Sequence, residues 1–403
     1  RTGIISTNNL SITQANDKGS FRASASHIYQ QGIVPNTQLN NSSFSIAGNY
    51  NLTDRLNVDA RITYNRQYTD NYPVVGYGPG NYLYNLVLWT GSDVDIRDLR
   101  SYWVPGKEGL QQRHYNQSWY NNPYFQAYEL LTGYYKNNTF GSMALNYKLN
   151  TDLSVKFRTG INSYGLTTST KEPMSYIGYS NKSRGNYTVG SQNYFDLVSD
   201  LALRYEHTFG KDFTIHAEVG GSNYYRNDRY QDSKTDGLTI PGFYNLDNST
   251  NPVISKNTLE ERRTSSAYGL LDMEYMGAFY LSLTGRNDII STLPVANNSF
   301  FYPSVAGSII ISELVKTPHW LPYVKARGSW SSVSRGRLDE EERYTYNYLP
   351  TYDRGLKWNS VPSLSFGDMR RNPGLKPQTT NAWETGLEVK LLDNRFGLDV
   401  TYF

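Results

Sequence analysis

Between Gln67 and Asn137 the chain carries a dense run of aromatic rings with Asn and Asp interleaved. Tyr82, Tyr84, Trp89, Trp103, Trp119 and Tyr120 are its candidate ligand-binding residues. Sugar rings present flat C–H faces ringed by hydroxyl groups, so stacking aromatics set beside carboxylates and amides make a glycan surface. The competing use of the same rings is to pack the loop against itself or against a partner, which is the commoner fate of large aromatic side chains. Tyr72, Tyr77, Tyr102 and Tyr124 belong to the same run.

Other chemistry finds little footing. Asp93, Asp95 and Asp98 have the spacing of a calcium loop but lack its glycine and its closing glutamate, so they read as a solvated acidic turn. Asp339, Glu340, Glu341 and Glu342 read as a second acidic, solvent-facing loop. His27, His114, His207, His216 and His319 show no metal-ligand spacing. There is no Gly-x-Ser-x-Gly elbow and no phosphate-cradling glycine loop, and nothing singles out a glycosidase pair among 36 acidic residues. The chain therefore reads as a non-enzyme without cofactor or metal.

The elements that must position the aromatic loop are strands. Phe213, Ile215, Ala217 and Val219 alternate with Thr214, His216 and Glu218, giving one greasy and one polar face. Leu153, Val155, Phe157, Thr159 and Ile161 do the same, as do Val58, Ala60, Ile62 and Tyr64, and Phe396, Leu398, Val400 and Tyr402. Segments of about nine to eleven residues with this pattern suit a tilted span of a bilayer. Alternation alone also suits a soluble sandwich, where the apolar face meets a core instead of lipid.

Composition and turns decide between the two. Among 403 residues no run approaches the roughly 20 apolar residues of a spanning helix, and mean hydropathy is -0.61. The 36 Tyr, 15 Phe and 7 Trp put rings where a membrane interface or a sugar surface selects them. The absence of Cys excludes disulfides and thiolate metal sites, and a net charge of +3 without basic runs excludes nucleic acid.

Seven short connections, Ala15 to Gly19, Leu52 to Arg55, Asn150 to Asp152, Phe209 to Asp212, Met276 to Ala278, Glu313 to Leu321 and Leu392 to Arg395, predict about fourteen strands. Between them lie longer connections: Gln30 to Asn41, Gln67 to Asn137, Leu166 to Gln192, Arg226 to Arg262, Asp288 to Ser299 and Ser334 to Gln378. Short and long in alternation describe an all-β, transmembrane antiparallel barrel with one plain and one elaborated end. Arg1 opens inside a strand pattern without a signal peptide, and Phe403 falls on the polar parity of the last strand. Both ends therefore read as interruptions of a longer barrel.

Three blocks carry a resemblance to a known family. Asn372 to Thr380 is followed by Trp383-Glu384, Gly386-Leu387, Asp393 to Phe396 and Leu398-Asp399; Gly285 to Asp288 is followed by Leu293-Pro294, Phe300 to Ser304 and Ser312-Glu313; and Arg1 to Gly3 is followed by Asn9 to Ser11 and Gln31 to Ile33. In order and spacing they resemble the SusC/RagA family of TonB-dependent outer-membrane transporters of Bacteroidetes. The resemblance implies that residues 1–403 are one part of a single 22-stranded barrel in the bacterial outer membrane. A plug with its TonB-contacting segment would lie upstream and the last strands downstream. It also implies a SusD-like surface lipoprotein, TonB and an oligosaccharide substrate as partners, and pairing of two transporter–lipoprotein units. Peptide import by the same family, a soluble or surface-held carbohydrate-binding protein, and a passive porin are the alternatives. The segment bounded by Pro373 and Pro377 reads as a stiff lead-in to a strand.

Overall fold

The structure, a computed structural model, describes residues 2–116, 119–179, 181–336, 348–349, 351–367 and 370–403. Seven antiparallel hairpins follow one another: β1 (Ile4–Asn16) with β2 (Gly19–Gln31), β3 (Gln38–Asn51) with β4 (Leu56–Thr69), β5 (Leu131–Lys148) with β6 (Leu153–Glu172), and β7 (Asn186–Phe209) with β8 (Phe213–Leu238). β9 (Ser249–Tyr275) pairs with β10 (Phe279–Ile290) and β11 (Ser299–Ile310) with β12 (Tyr323–Arg335). A small hairpin of β13 (Tyr352–Arg354) and β14 (Leu364–Phe366) precedes β15 (Gln378–Leu391) and β16 (Phe396–Tyr402). All but β13 and β14 form one fourteen-stranded sheet in which each strand neighbours the next, with β1 and β16 as its edges. Every predicted short connection joins two of its strands; the one between β11 and β12 holds a single helical turn, Ile311–Leu314.

Directly opposed residues of an antiparallel pair share a face, so register tests the alternation. Val58 pairs with Leu145, Leu145 with Phe157, Phe157 with Leu201 and Leu201 with Gly221. Farther round, Phe213 pairs with Tyr275, Phe279 with Ile309, Ala326 with Leu387 and Leu387 with Val400. The four stretches read from sequence thus lie on one continuous face of the sheet, whose apolar side chains stay exposed, Val219 at 61% and Ile62 at 51%. The opposite face is polar: Ser45 bonds Thr63 (2.8 Å), Arg158 pairs with Asp200 (3.2 Å) and Arg327 with Asp399 (2.7 Å).

Rings border the greasy face at both ends. Near the short turns Phe209, Phe213, Tyr275 and Phe279 follow at 6.0, 6.3 and 6.3 Å. Toward the long loops Tyr68 stacks on Tyr135 (5.5 Å) and Phe195 meets Tyr225 (6.3 Å). From Phe213 to Tyr225 is twelve residue steps along β8, which at ~3.3 Å per step and a tilt near 45° rises roughly 28 Å, about one hydrocarbon core. Among the described residues no helix is long and apolar enough to cross a membrane.

The strands are longer than the expected nine to eleven residues, reaching 26 in β8 and 27 in β9. The long connections are correspondingly shorter, 239–248 instead of Arg226 to Arg262 and 173–185 instead of Leu166 to Gln192. Beyond Tyr225 polar and charged residues take both parities of β8, so apolar periodicity fades while the backbone ladder continues. Asn227, Arg229 and Gln231 stay paired with Glu261, Leu259 and Asn257. The Asn372 to Thr380 segment does lead into β15; Asn297 Nδ2 donates to the carbonyls of Gly374 (3.3 Å) and Leu375 (3.1 Å). The acidic run from Asp339 to Glu342 lies outside the described residues.

Candidate functional site

The loop between β4 and β5 is a folded unit with two short helices, α1 (Tyr82–Leu88) and α2 (Pro123–Glu129). Asn81 caps α1, accepting from the Tyr84 N–H (3.0 Å) and donating to the Gly76 carbonyl (2.6 Å). α1 turns Tyr82 and Asn85 inward and leaves Leu83 and Val87 outside. Tyr82 is therefore core: it packs with Val34 and Ala127, with Leu86 alongside. Trp103 is half-buried, edge-on to the fully buried Phe125 at 5.2 Å.

Of the other four candidates Trp89 and Trp119 are exposed, and Tyr84 and Tyr120 are half-buried. Trp89 stacks on Tyr120 (5.5 Å, 21°), Tyr84 lies beside Trp89 (6.3 Å) and Tyr77 closes against Tyr84 (5.1 Å). Trp119 packs edge-on to Tyr179 from the β6–β7 loop (5.5 Å). Tyr77 is 80%, Tyr179 64% and Trp89 49% exposed. Each aromatic contact contributes about 0.5–1.5 kcal/mol beyond area burial, so the rings are ordered before any ligand arrives.

Buried amides hold this strip in place. Gln112, Asn121 and Asn122 are almost wholly inaccessible. Gln112 Nε2 donates to Asn121 Oδ1 (2.9 Å) and the Ser175 carbonyl (2.6 Å), while its Oε1 accepts from the Asn122 N–H (2.8 Å). Asn121 brackets Ile177, donating to its carbonyl (2.8 Å) and accepting from its N–H (2.9 Å). Asn122 caps α2, with Pro123 in the first turn. At the loop base Asn71 Nδ2 reaches the carbonyls of Asn36 (3.0 Å) and Ala127 (3.1 Å). Three loops that join four successive hairpins are thus knotted into one platform.

In the acidic turn of Asp93, Asp95 and Asp98, Asp95 caps the short helical turn Ile96–Arg100 and pairs with Arg97 (2.6 Å), which holds its carboxyl down at about 2. Burial pushes the Tyr102 phenol, which donates to Glu129 (2.9 Å), up to about 12, and it also raises Glu129. Burial lowers His114, favouring the neutral ring. These shifts belong to packing inside the platform.

Sequence reasoning passed over the amides and Tyr179. The Asn-Asn-Pro run at 121–123 signals a helix start, whereas Tyr179 joins the strip from a separate loop without any local signal.

A fourteen-strand wall, greasy outside and polar inside with long loops at one end, is what the comparisons match. Residues 54–403 match the family model described as TonB dependent receptor-like, beta-barrel. The chain belongs to that family. Two TonB-dependent receptors of Formosa agariphila, P26 and P3, are 24% and 21% identical over 98% and 100% of the chain. The chain spans about two fifths of their length, 39% and 40%. Among solved structures the RagAB peptide transporter superposes with a TM-score of 0.78 at 16% identity, over 98% of this chain and 44% of that one. The ferric-catecholate import receptor Fiu of E. coli K12 gives 0.55 at 12%, over 99% of this chain and 56% of that one. At these identities the solved structures show the fold alone, an antiparallel β-barrel wall like that of the RagAB peptide transporter.

Proposed function

We propose that this chain forms the substrate-facing wall and loop platform of a transporter that imports oligosaccharides across the outer membrane, driven by TonB. The strip of Tyr77, Tyr84, Trp89 and Tyr120, with Tyr77 and Trp89 exposed, on a knotted, preordered loop carries this reading. A preordered stack binds sugar faces without first losing loop entropy. Below it the inner face offers paired charges and hydroxyls, a wet passage for a hydroxylated solute. Residues 1–403 are one part of a 22-stranded barrel. A plug upstream blocks the lumen and meets TonB, the remaining strands follow downstream, and a SusD-like lipoprotein closes over the loops, two such units pairing in the membrane.

A host dependent on the full-length protein should lose growth on the cognate polysaccharide when TonB is deleted; undiminished growth refutes energised import. Within the platform, Trp89→Ala and Tyr120→Ala should each weaken oligosaccharide binding about three- to tenfold, with Tyr82→Phe leaving it unchanged. Peptide import is the second reading, favoured by the fold shared with the RagAB peptide transporter. Binding of a peptide mixture with no binding across an oligosaccharide panel would decide for it.

A further inference from the structure

The polar face carries a trough. One row of directly opposed residues crosses five neighbouring strands: Asp272 pairs with Ser282, Ser282 with Ala306, Ala306 with Ser329 and Ser329 with Glu384. All five share the lumenal parity, so a carboxylate stands at each end and three small side chains form the floor between them. Four inter-strand steps of ~4.8 Å set the two end strands about 19 Å apart. In the next row toward the short turns Tyr280 pairs with Ser308 and Ser308 with Arg327, and Lys325 follows Arg327 on the same face. These side chains bound a cleft of about 470 Å³. Elsewhere on the inner face Arg158, Arg204 and Arg286 each pair with a carboxylate, and Arg327 pairs with Asp399. In the trough, by contrast, Asp272, Glu384 and Lys325 make neither an ion pair nor a side-chain hydrogen bond among the described residues.

We propose that this trough is a second saccharide site, on the exit side of the lumen, which an oligosaccharide occupies in passage after it leaves the loop platform. The chemistry selects the occupant. Asp272 and Glu384 accept hydrogen bonds and Lys325 donates them, so a simple ion of either sign answers only one kind of group, whereas sugar hydroxyls donate and accept and answer both. The hydroxyls of Ser282 and Ser329 extend the same surface, and the cleft lies within the about 300–1,000 Å³ range of ligand sites. Its place near the short turns separates it from the aromatic strip at the long-loop end. Two sites of modest strength along one path let a solute enter and still leave. This rests on the oligosaccharide-import reading.

The test uses the full-length transporter in a host that depends on it, with fluorescently labelled oligosaccharides cut from the polysaccharide that supports growth. Asp272→Asn with Glu384→Gln, and separately Ala306→Leu, which fills the floor, should each slow uptake about tenfold. Binding to energy-depleted cells, which reports the loop platform, should stay at the wild-type level in both. Ser222→Asn, on the lumenal parity of β8 outside the trough, should leave uptake and binding unchanged. Faster gel migration of unheated samples confirms that each variant is a folded barrel, and vancomycin should remain excluded from all of them. Wild-type uptake in both trough variants overturns the proposal, as does binding that falls in step with uptake. Vancomycin entry accompanying the slower uptake also overturns it, since the trough would then be a seat for the plug. Uptake by the wild type that survives deletion of TonB would instead refute the import reading itself.

Discussion

Replacing Asn121 by leucine should loosen the platform while leaving the barrel intact. Asn121 is 1% exposed and makes four hydrogen bonds, so an apolar residue of similar size removes them without opening a cavity. Two of its partners keep other bonds: the Pro79 carbonyl retains Asn85 Nδ2 (2.7 Å), and Gln112 Nε2 retains the Ser175 carbonyl (2.6 Å). The N–H and carbonyl of Ile177 lose this clamp, and stranding two half-buried backbone groups costs about 2 kcal/mol in total, the low end of the penalty for unpaired buried groups. The cost falls on the attachment of the β6–β7 loop, not on the strand ladder. In Asn121→Leu, amide hydrogen exchange across residues 173–185 should accelerate about 30-fold, with β7 and β8 unaltered. Unchanged exchange in 173–185, or equal acceleration in the strands, would refute the knot.

Two further perturbations probe the wall and the loops. Val219 sits midway along the greasy stretch of β8, so Val219→Arg should destabilise the barrel by about 2–4 kcal/mol in urea unfolding from lipid vesicles. Ser222→Arg, on the lumenal parity of the same strand, should cost less than about 1 kcal/mol, and equal costs would contradict the facing. Tyr102, Tyr176 and Tyr244 lie in loops and are each pushed up to about 12, chiefly by burial. A phenol raised above its ordinary value near 10 stabilises the fold fully below that pH and loses the contribution as pH rises through its folded value. Loop protection from hydrogen exchange should therefore fall between about pH 10 and 12 before the strands open, tracked by phenolate absorbance. Loops that stay protected across this window would contradict the burial.

What was legible in the chain follows from where the physics is local. Phe213 to Val219 announced its facing because lipid and lumen impose a period of two, and register carried that facing to β16. The upper halves of β8 and β9 were illegible as strands, since polar residues occupy both parities there, Asn227 and Arg229 on one and Asp228 on the other. Tyr82 and Trp89 look alike as residues, yet a helical turn sends one into the core beside Val34 and the other out to Tyr120. The amide knot joins Gln112 and Asn121 to Ser175 and Ile177 across two loops, a juxtaposition only the folded chain creates.

The central claim is that lipid covers the greasy face, and the absence of cysteine in this chain allows a direct measurement. Single cysteines introduced in turn from Phe213 to Arg226 of the full-length protein in lipid vesicles, each carrying a nitroxide, report access to oxygen and to a polar nickel chelate. Labels at Ile215, Ala217 and Val219 should relax with oxygen and those at Thr214, His216 and Glu218 with the chelate, in strict alternation. Chelate access at both parities, or at neither, would mean that something other than hydrocarbon covers that face.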